Sequence, residues 1–78
     1  MKDIKKLIDN LIESYKIDDI EELAHSQGFY ISEQNLTDDK INYSLNKITE
    51  HSKSLKNNPD NYKFHIASIW KLFNDVYR

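Results

Sequence analysis

Apolar side chains recur at every third or fourth position over three long stretches of the chain, and each stretch begins or ends at residues that helices use as caps. From about Lys2 to Tyr15, the residues Ile4, Leu7, Ile8, Leu11, Ile12 and Tyr15 form one apolar face, opposite Lys5, Lys6, Asp9 and Glu13. Asp18 followed by Glu21 reads as a capping box and predicts a short second helix from about Asp19 to Gln27, with Ile20, Leu23 and Ala24 as its narrow apolar edge. The only glycine, Gly28, follows where a left-handed residue closes a helix, and Phe29 is placed to fold back over Leu23 and Ala24.

Residues 29–36, FYISEQNL, have no period. They predict a loop with one helical turn opened by Ser32, and Phe29, Ile31 and Leu36 as an apolar plug for the fold. A strand over GFYIS would have no partner, so no sheet is expected. Thr37 then caps a third helix: Asp38 and Asp39 occupy its first turn, where the helix dipole favours negative charge, and Leu36 with Ile41 makes a hydrophobic staple. The stripe Ile41, Leu45, Ile48 and Leu55, with Ser52 between, is narrow and suits packing along one seam up to about Lys56. Asn58 and Pro59, the latter at a first helical position, open the last helix, Asn58 to Tyr77. On a helical wheel its Leu72, Val76, Ile69, Tyr62, Phe73, Ile66, Tyr77 and Trp70 fall on one continuous arc, wide enough to face two neighbours. The connections are short and no linker or repeat divides the elements. The fold expected is therefore all-α, a single helical domain over residues 1–78, built as a small antiparallel bundle of three long helices and one short helix.

Composition narrows the functions open to such a bundle. Seventy-eight residues spend most of their large apolar side chains on one core and leave little for a deep pocket. With no cysteine, the chain has no disulfide, thiolate metal site or cysteine nucleophile. Its opening, MKDIKKLIDNLIESY, breaks the apolar positions with charge at every turn, unlike a secretory signal, and no apolar run approaches membrane-spanning length. A cytoplasmic protein with no membrane partner is expected. The abundance of Ile, Lys and Asn fits A+T-rich coding and a bacterial or phage source.

Net charge is only −2, but unevenly spread. Residues 1–39 hold four Lys against ten acids, and residues 40–78 hold six Lys and one Arg against three acids, so the two halves are expected to attract each other. Ten of the eleven basic residues are Lys, which lacks the planar fork that Arg brings to phosphate and guanine.

Chemistry-bearing patterns are few. Ala24 and Gly28 have the spacing of the small residue and turn glycine of a helix-turn-helix, so residues 20–36 carry an alternative reading as a DNA-binding regulator. Against it, Gln34 and Thr37 stand where the recognition helix needs apolar residues, and DDIEE would bring acid toward phosphates. His25, His51 and His65 are 26 and 14 residues apart, so no two share a turn. His51 and His65 alone can approach across the turn between the third and fourth helices, and two ligands make no metal site. The acids are assigned to first turns and polar faces, and Ser52 and Ser54 beside Lys53 lack any glycine-rich or oxyanion-type turn. The expectation is no enzyme, no catalytic residue, no cofactor and no metal.

What remains is apolar surface outside the core. Phe64 falls opposite Phe73 on the wheel, Tyr43 opposite Ile41, and Tyr30 lies beside the loop. If Tyr43 and Phe64 meet with Lys47, Lys63 and Lys71 around them, they make an aromatic centre with a basic rim suited to an acidic protein. A small non-enzymatic protein-binding bundle, of inhibitor, immunity or adaptor type, is thus the leading expectation. DNA binding is the alternative, and self-association into a homo-oligomer through the wide apolar arc a further one.

The words IDDIEELAHSQGFYISEQNL also resemble the end of the leader segment on bacterial precursors of modified peptides, in which a helix closes with Ala, three residues, Gly and an aromatic before a short polar helix. Ala24, Gly28, Phe29 and Leu36 carry that resemblance over about a quarter of the chain. A long fourth helix stands where a core peptide would be, and there is no cysteine to modify. In size and helical make-up the chain is similar to bacteriocin immunity proteins and small phage inhibitors. No residue roles carry over from any of these.

Overall fold

In the computed structural model, which describes residues 2–32 and 35–77, four α-helices follow one another. They are α1 (Lys2–Ser14), α2 (Ile20–Ser26), α3 (Asp38–Asn57) and α4 (Tyr62–Val76), with one 3₁₀ turn over Pro59–Asn61 leading into α4. No strand occurs among the described residues, and the molecule is an all-α bundle.

Helix ends explain the boundaries. Pro59 stands at the first position of the 3₁₀ turn, so that α4 itself starts three residues later than expected, at Tyr62. Two ends are as expected: the Thr37 hydroxyl accepts from the Lys40 N–H at 3.2 Å, and Gly28 takes φ 83° behind α2. There the Phe29 N–H donates to the Ala24 carbonyl and the Gly28 N–H to that of His25, the paired bonds of a Schellman closure. The start of α2 differs by one residue from the sequence expectation. Asp19, not Asp18, is the extended N-cap, and its carboxylate accepts from the Glu22 N–H at 3.1 Å. The reason lies upstream: α1 closes through a second Schellman motif, with Ile17 N–H on the Ile12 carbonyl and Lys16 N–H on that of Glu13. Its left-handed residue is Lys16, at φ 54°, which consumes one more residue of the connection than a plain turn would.

α4 is the element on which the others pack, for α1, α2 and α3 each meet it. Ile69, wholly buried, joins Ile8 of α1 and Ile48 of α3 in the core, with Ile4, Leu7, Leu11, Ile12, Trp70, Leu72 and Phe73 packed around them. At ~25 cal/mol per Å² of apolar area removed from water, this cluster supplies the main stabilisation of the fold. Toward α2, both the only buried residue of α2, Ala24, and Ala67 of α4 have no exposed surface. Small side chains of this kind let two backbones come close. Of the wide arc of α4, Ile66, Ile69 and Val76 are buried within the chain, and Tyr62, Trp70, Leu72, Phe73 and Tyr77 are partly buried. At its first turn Tyr62 stacks on Tyr15 at the end of α1, ring centroids 4.9 Å apart.

Two expectations fail. Ile31 and Leu36 do not plug the bundle: both are exposed, and of the three only Phe29 is partly buried. A polar bond secures the loop instead, from the Ser32 N–H to the Asp75 carboxylate at 2.8 Å. The helical turn expected from Ser32 runs into residues 33 and 34, which lie outside the described residues, and neither Ser32 nor residues 35–37 are helical. Nor, among the described residues, do the oppositely charged halves meet through ion pairs. Among the described residues the pairs are Lys5–Asp9, His25–Glu21, Lys47–Glu50 and Lys71–Asp75, each three or four residues apart on one helix. Exposed charges are better solvated by water than by a distant partner, so local pairs and apolar burial take precedence.

Candidate functional site

Two rows of side chains at helical spacing face each other across the α3/α4 seam. α3 presents Tyr43, Lys47 and His51, four residues apart; α4 presents Phe64, Ser68, Lys71 and Leu72. With Phe29, set over them by the Gly28 closure, they line a groove of about 220 Å³. An adjoining cleft of about 440 Å³ continues toward the start of α3, between Asp39, Lys40, Tyr43 and Ser44 on one side and Ser32, Lys71, Leu72 and Asp75 on the other. Tyr43, Lys71 and Leu72 belong to both.

The aromatic wall is continuous. Phe64 lies 5.7 Å from Phe29, 5.7 Å from His51 and 5.4 Å from His65, centroid to centroid, with the two histidines near edge-on. Its ring is nonetheless 43% exposed, and Tyr43 is 60% exposed. Lys47 stands 5.7 Å above the Tyr43 ring, a cation–π contact, and pairs with Glu50 at 3.1 Å. That hydrogen bond and the Glu50 charge, with Tyr43 adding to them, raise the lysine above its usual value.

Behind Phe64 the two expected neighbours across the turn are in contact: His51 Nδ1 and His65 Nδ1 are 3.0 Å apart. At that distance one ring donates and the other accepts. Burial, then the neighbouring His65 and Lys47, hold the His51 imidazole below its usual value of 6.5, with Glu50 opposing.

At the far end of the cleft sits a carboxylate that the sequence reading assigned to a polar face. Asp75 is buried, with 6% of its surface exposed. One oxygen accepts from Ser32 N–H and the other from Lys71 Nζ at 2.6 Å, so the charge is compensated where it is desolvated. Lys71 Nζ also lies 3.5 Å from the Ser32 hydroxyl. The lysine expected to offer a free cation to a partner is therefore engaged in fastening the loop to α4. Its i, i+4 spacing to Asp75 was visible in the sequence; the backbone N–H 43 residues away was not.

Of the six residues expected to contact a partner, Tyr43, Phe64, Lys47 and Lys71 line one groove. Lys63 is exposed but lines neither cleft, being turned about 100° from Phe64 on the helix. Tyr30 stands apart, its ring stacked on His25 at 4.6 Å. Phe29, His51 and Leu72 were not anticipated as groove residues. The large exposed apolar residues among those described are Tyr30, Ile31, Leu36, Tyr43 and Phe64. Tyr43 and Phe64 lie in the groove, and Tyr30, Ile31 and Leu36 lie on the segment between α2 and α3.

Other chemistry is thin. Among the described residues no three His, Asp or Glu side chains are placed to hold a metal ion, and Ser52 Oγ is buried without a hydrogen-bond partner. No helix of the described residues is long and apolar enough to cross a membrane. Where a helix-turn-helix would place its recognition helix, residues 29–32 and 35–37 are not helical. Comparison of the chain with protein-family models, with curated proteins and with solved structures returned no match, so the groove is read from its own geometry, and no residue role is taken from the leader segments.

Proposed function

We propose that the chain is a cytoplasmic, non-enzymatic protein-binding domain, and that its contact surface is the groove between α3, α4 and the loop behind α2. The observation that carries this reading is the meeting of Tyr43 and Phe64, both exposed, in one groove with Phe29 and Leu72, since exposed aromatics that share a groove are less common on a surface than scattered single residues. Its occupant is an apolar or aromatic side chain of a partner protein, inserted between Tyr43, Phe64 and Leu72. Lys47 and Lys71 flank the groove, each paired with a carboxylate of its own helix, Glu50 and Asp75, so the apolar anchor and not a charge sets the fit. DNA binding loses support because residues 29–32 and 35–37, where a recognition helix is wanted, are not helical, and Glu21 and Glu22 stand in the first turn of α2.

Affinity capture tests it. Wild type and the Lys5→Ala variant, altered on the outer face of α1, should retain the same partner, whereas Tyr43→Ala and Phe64→Ala, both verified as folded by circular dichroism, should lose it. Equal capture by all four, or retention of nucleic acid that falls steeply with salt, overturns the reading.

A further inference from the structure

We infer that the His51–His65 pair is a proton-controlled latch on the groove: it holds the aromatic wall in place while at most one of the two imidazoles is charged, and releases it when both are. The inference concerns regulation of the groove and takes its biological meaning from the binding reading above, but its test needs no partner.

The geometry sets the stoichiometry. An Nδ1 to Nδ1 contact of 3.0 Å requires one protonated and one bare nitrogen. Two neutral rings meet that condition when one carries its proton on Nδ1 and the other on Nε2. Adding one proton also preserves it, because an imidazolium donates to a neutral ring in a stronger, charge-assisted bond. The second proton removes the only acceptor and sets two positive rings against each other. The two protons therefore have opposite consequences: the first keeps the bond and the second breaks it.

The surroundings decide which charges are tolerated. From α3, Lys47 lies one turn before His51 and opposes a charge there, while Glu50 favours it but is bonded to Lys47. From α4, Lys71 lines the same groove and is held by Asp75. Phe29, from the segment behind α2, brings no charge. Phe64 transmits the event, since its ring meets both histidines and Phe29. If His51 turns away, the ring that forms the groove wall loses its support.

The sign follows from His51, whose folded-state value lies below its usual 6.5. The unfolded chain binds that proton more readily, so this contribution to stability is complete above pH 6.5 and declines as pH falls through that value toward the lower folded one.

Nuclear magnetic resonance on the intact chain, with ¹⁵N-labelled histidine, decides the matter. Above pH 7 one of the two rings should carry its proton on Nδ1 and the other on Nε2, with a scalar coupling between the two Nδ1 atoms. On acidification that coupling should survive the first step and vanish at the second, and the Phe64, Tyr43 and Leu72 resonances should shift with the second step while those of Ile4 and Ile8 on α1 stay in place. Replacing the ionisable ring, His65→Gln, should abolish the second step and the associated groove shifts. Independent titration of the two rings without coupling overturns the latch, as does a groove that stays still through the second step, or loss of all native resonances together. None of these results bears on whether a partner occupies the groove at neutral pH, which the capture experiment decides.

Discussion

The two sides of α4 are built from different materials. Toward α1, Ile69 and Phe73 meet Ile4, Ile8 and Leu11 in a seam of aliphatic and aromatic carbon. Toward the upper part of α3 and the loop, the same helix presents Ser68, Lys71 and Asp75, and the wall in front of them holds Tyr43, His51 and Phe64. The first side gains its energy from area removed from water, which does not depend on pH. The second gains less, through pairings that depend on protonation and on each partner's position. A single helix thus presents a buried apolar seam on one face and a polar, partly exposed one on the other.

Substitution on each face measures the contrast. Ile69→Ala should cost most, about 3 to 4 kcal/mol by the transfer and cavity terms for a wholly buried aliphatic side chain, and a urea titration reads it directly. A loss under about 1 kcal/mol would show that this seam is not the main source of stability. Asp75→Asn should come next, at about 1 to 3 kcal/mol, because Lys71 loses its counter-charge in a partly buried site. The loss should be local as well: the Ser32 amide, bonded to Asp75, should exchange with solvent far faster in the variant while amides of α1 are less affected. Uniform acceleration would mean that the two faces are one cooperative unit. The smallest effect belongs to the connection: Lys16→Gly should stabilise by roughly 0.5 kcal/mol, since glycine avoids the cost of the left-handed backbone at φ 54° but loses more chain entropy on folding. Destabilisation by thermal denaturation would assign Lys16 a side-chain role.

What could be foreseen divides along the same line. Thr37, Gly28 and Pro59 act on backbone groups a few residues away, so a reader of the sequence sees donor and acceptor together. The wheel of the last helix was likewise enough to name Ile66, Ile69 and Val76 as buried. Asp19 was mistaken for its neighbour because two aspartates in a row leave the cap undecided until the closure of α1 is known. Asp75 looked like one more solvated acid, since the N–H that explains its burial belongs to Ser32. Phe64 and Tyr43 were visible as leftovers from the core; that they face one groove depends on the placement of α3 against α4, which no local pattern encodes.

The role of α4 as common neighbour has a consequence for how the chain reaches this state. α1, α2 and α3 each rest chiefly on the element that comes after all of them in the sequence, and Tyr15 must wait for Tyr62 to complete its stack. Before α4 is in place, the earlier helices have marginal stability of their own, for short isolated helices are weak in water. Folding should therefore be held back until the last segment docks and then finish abruptly.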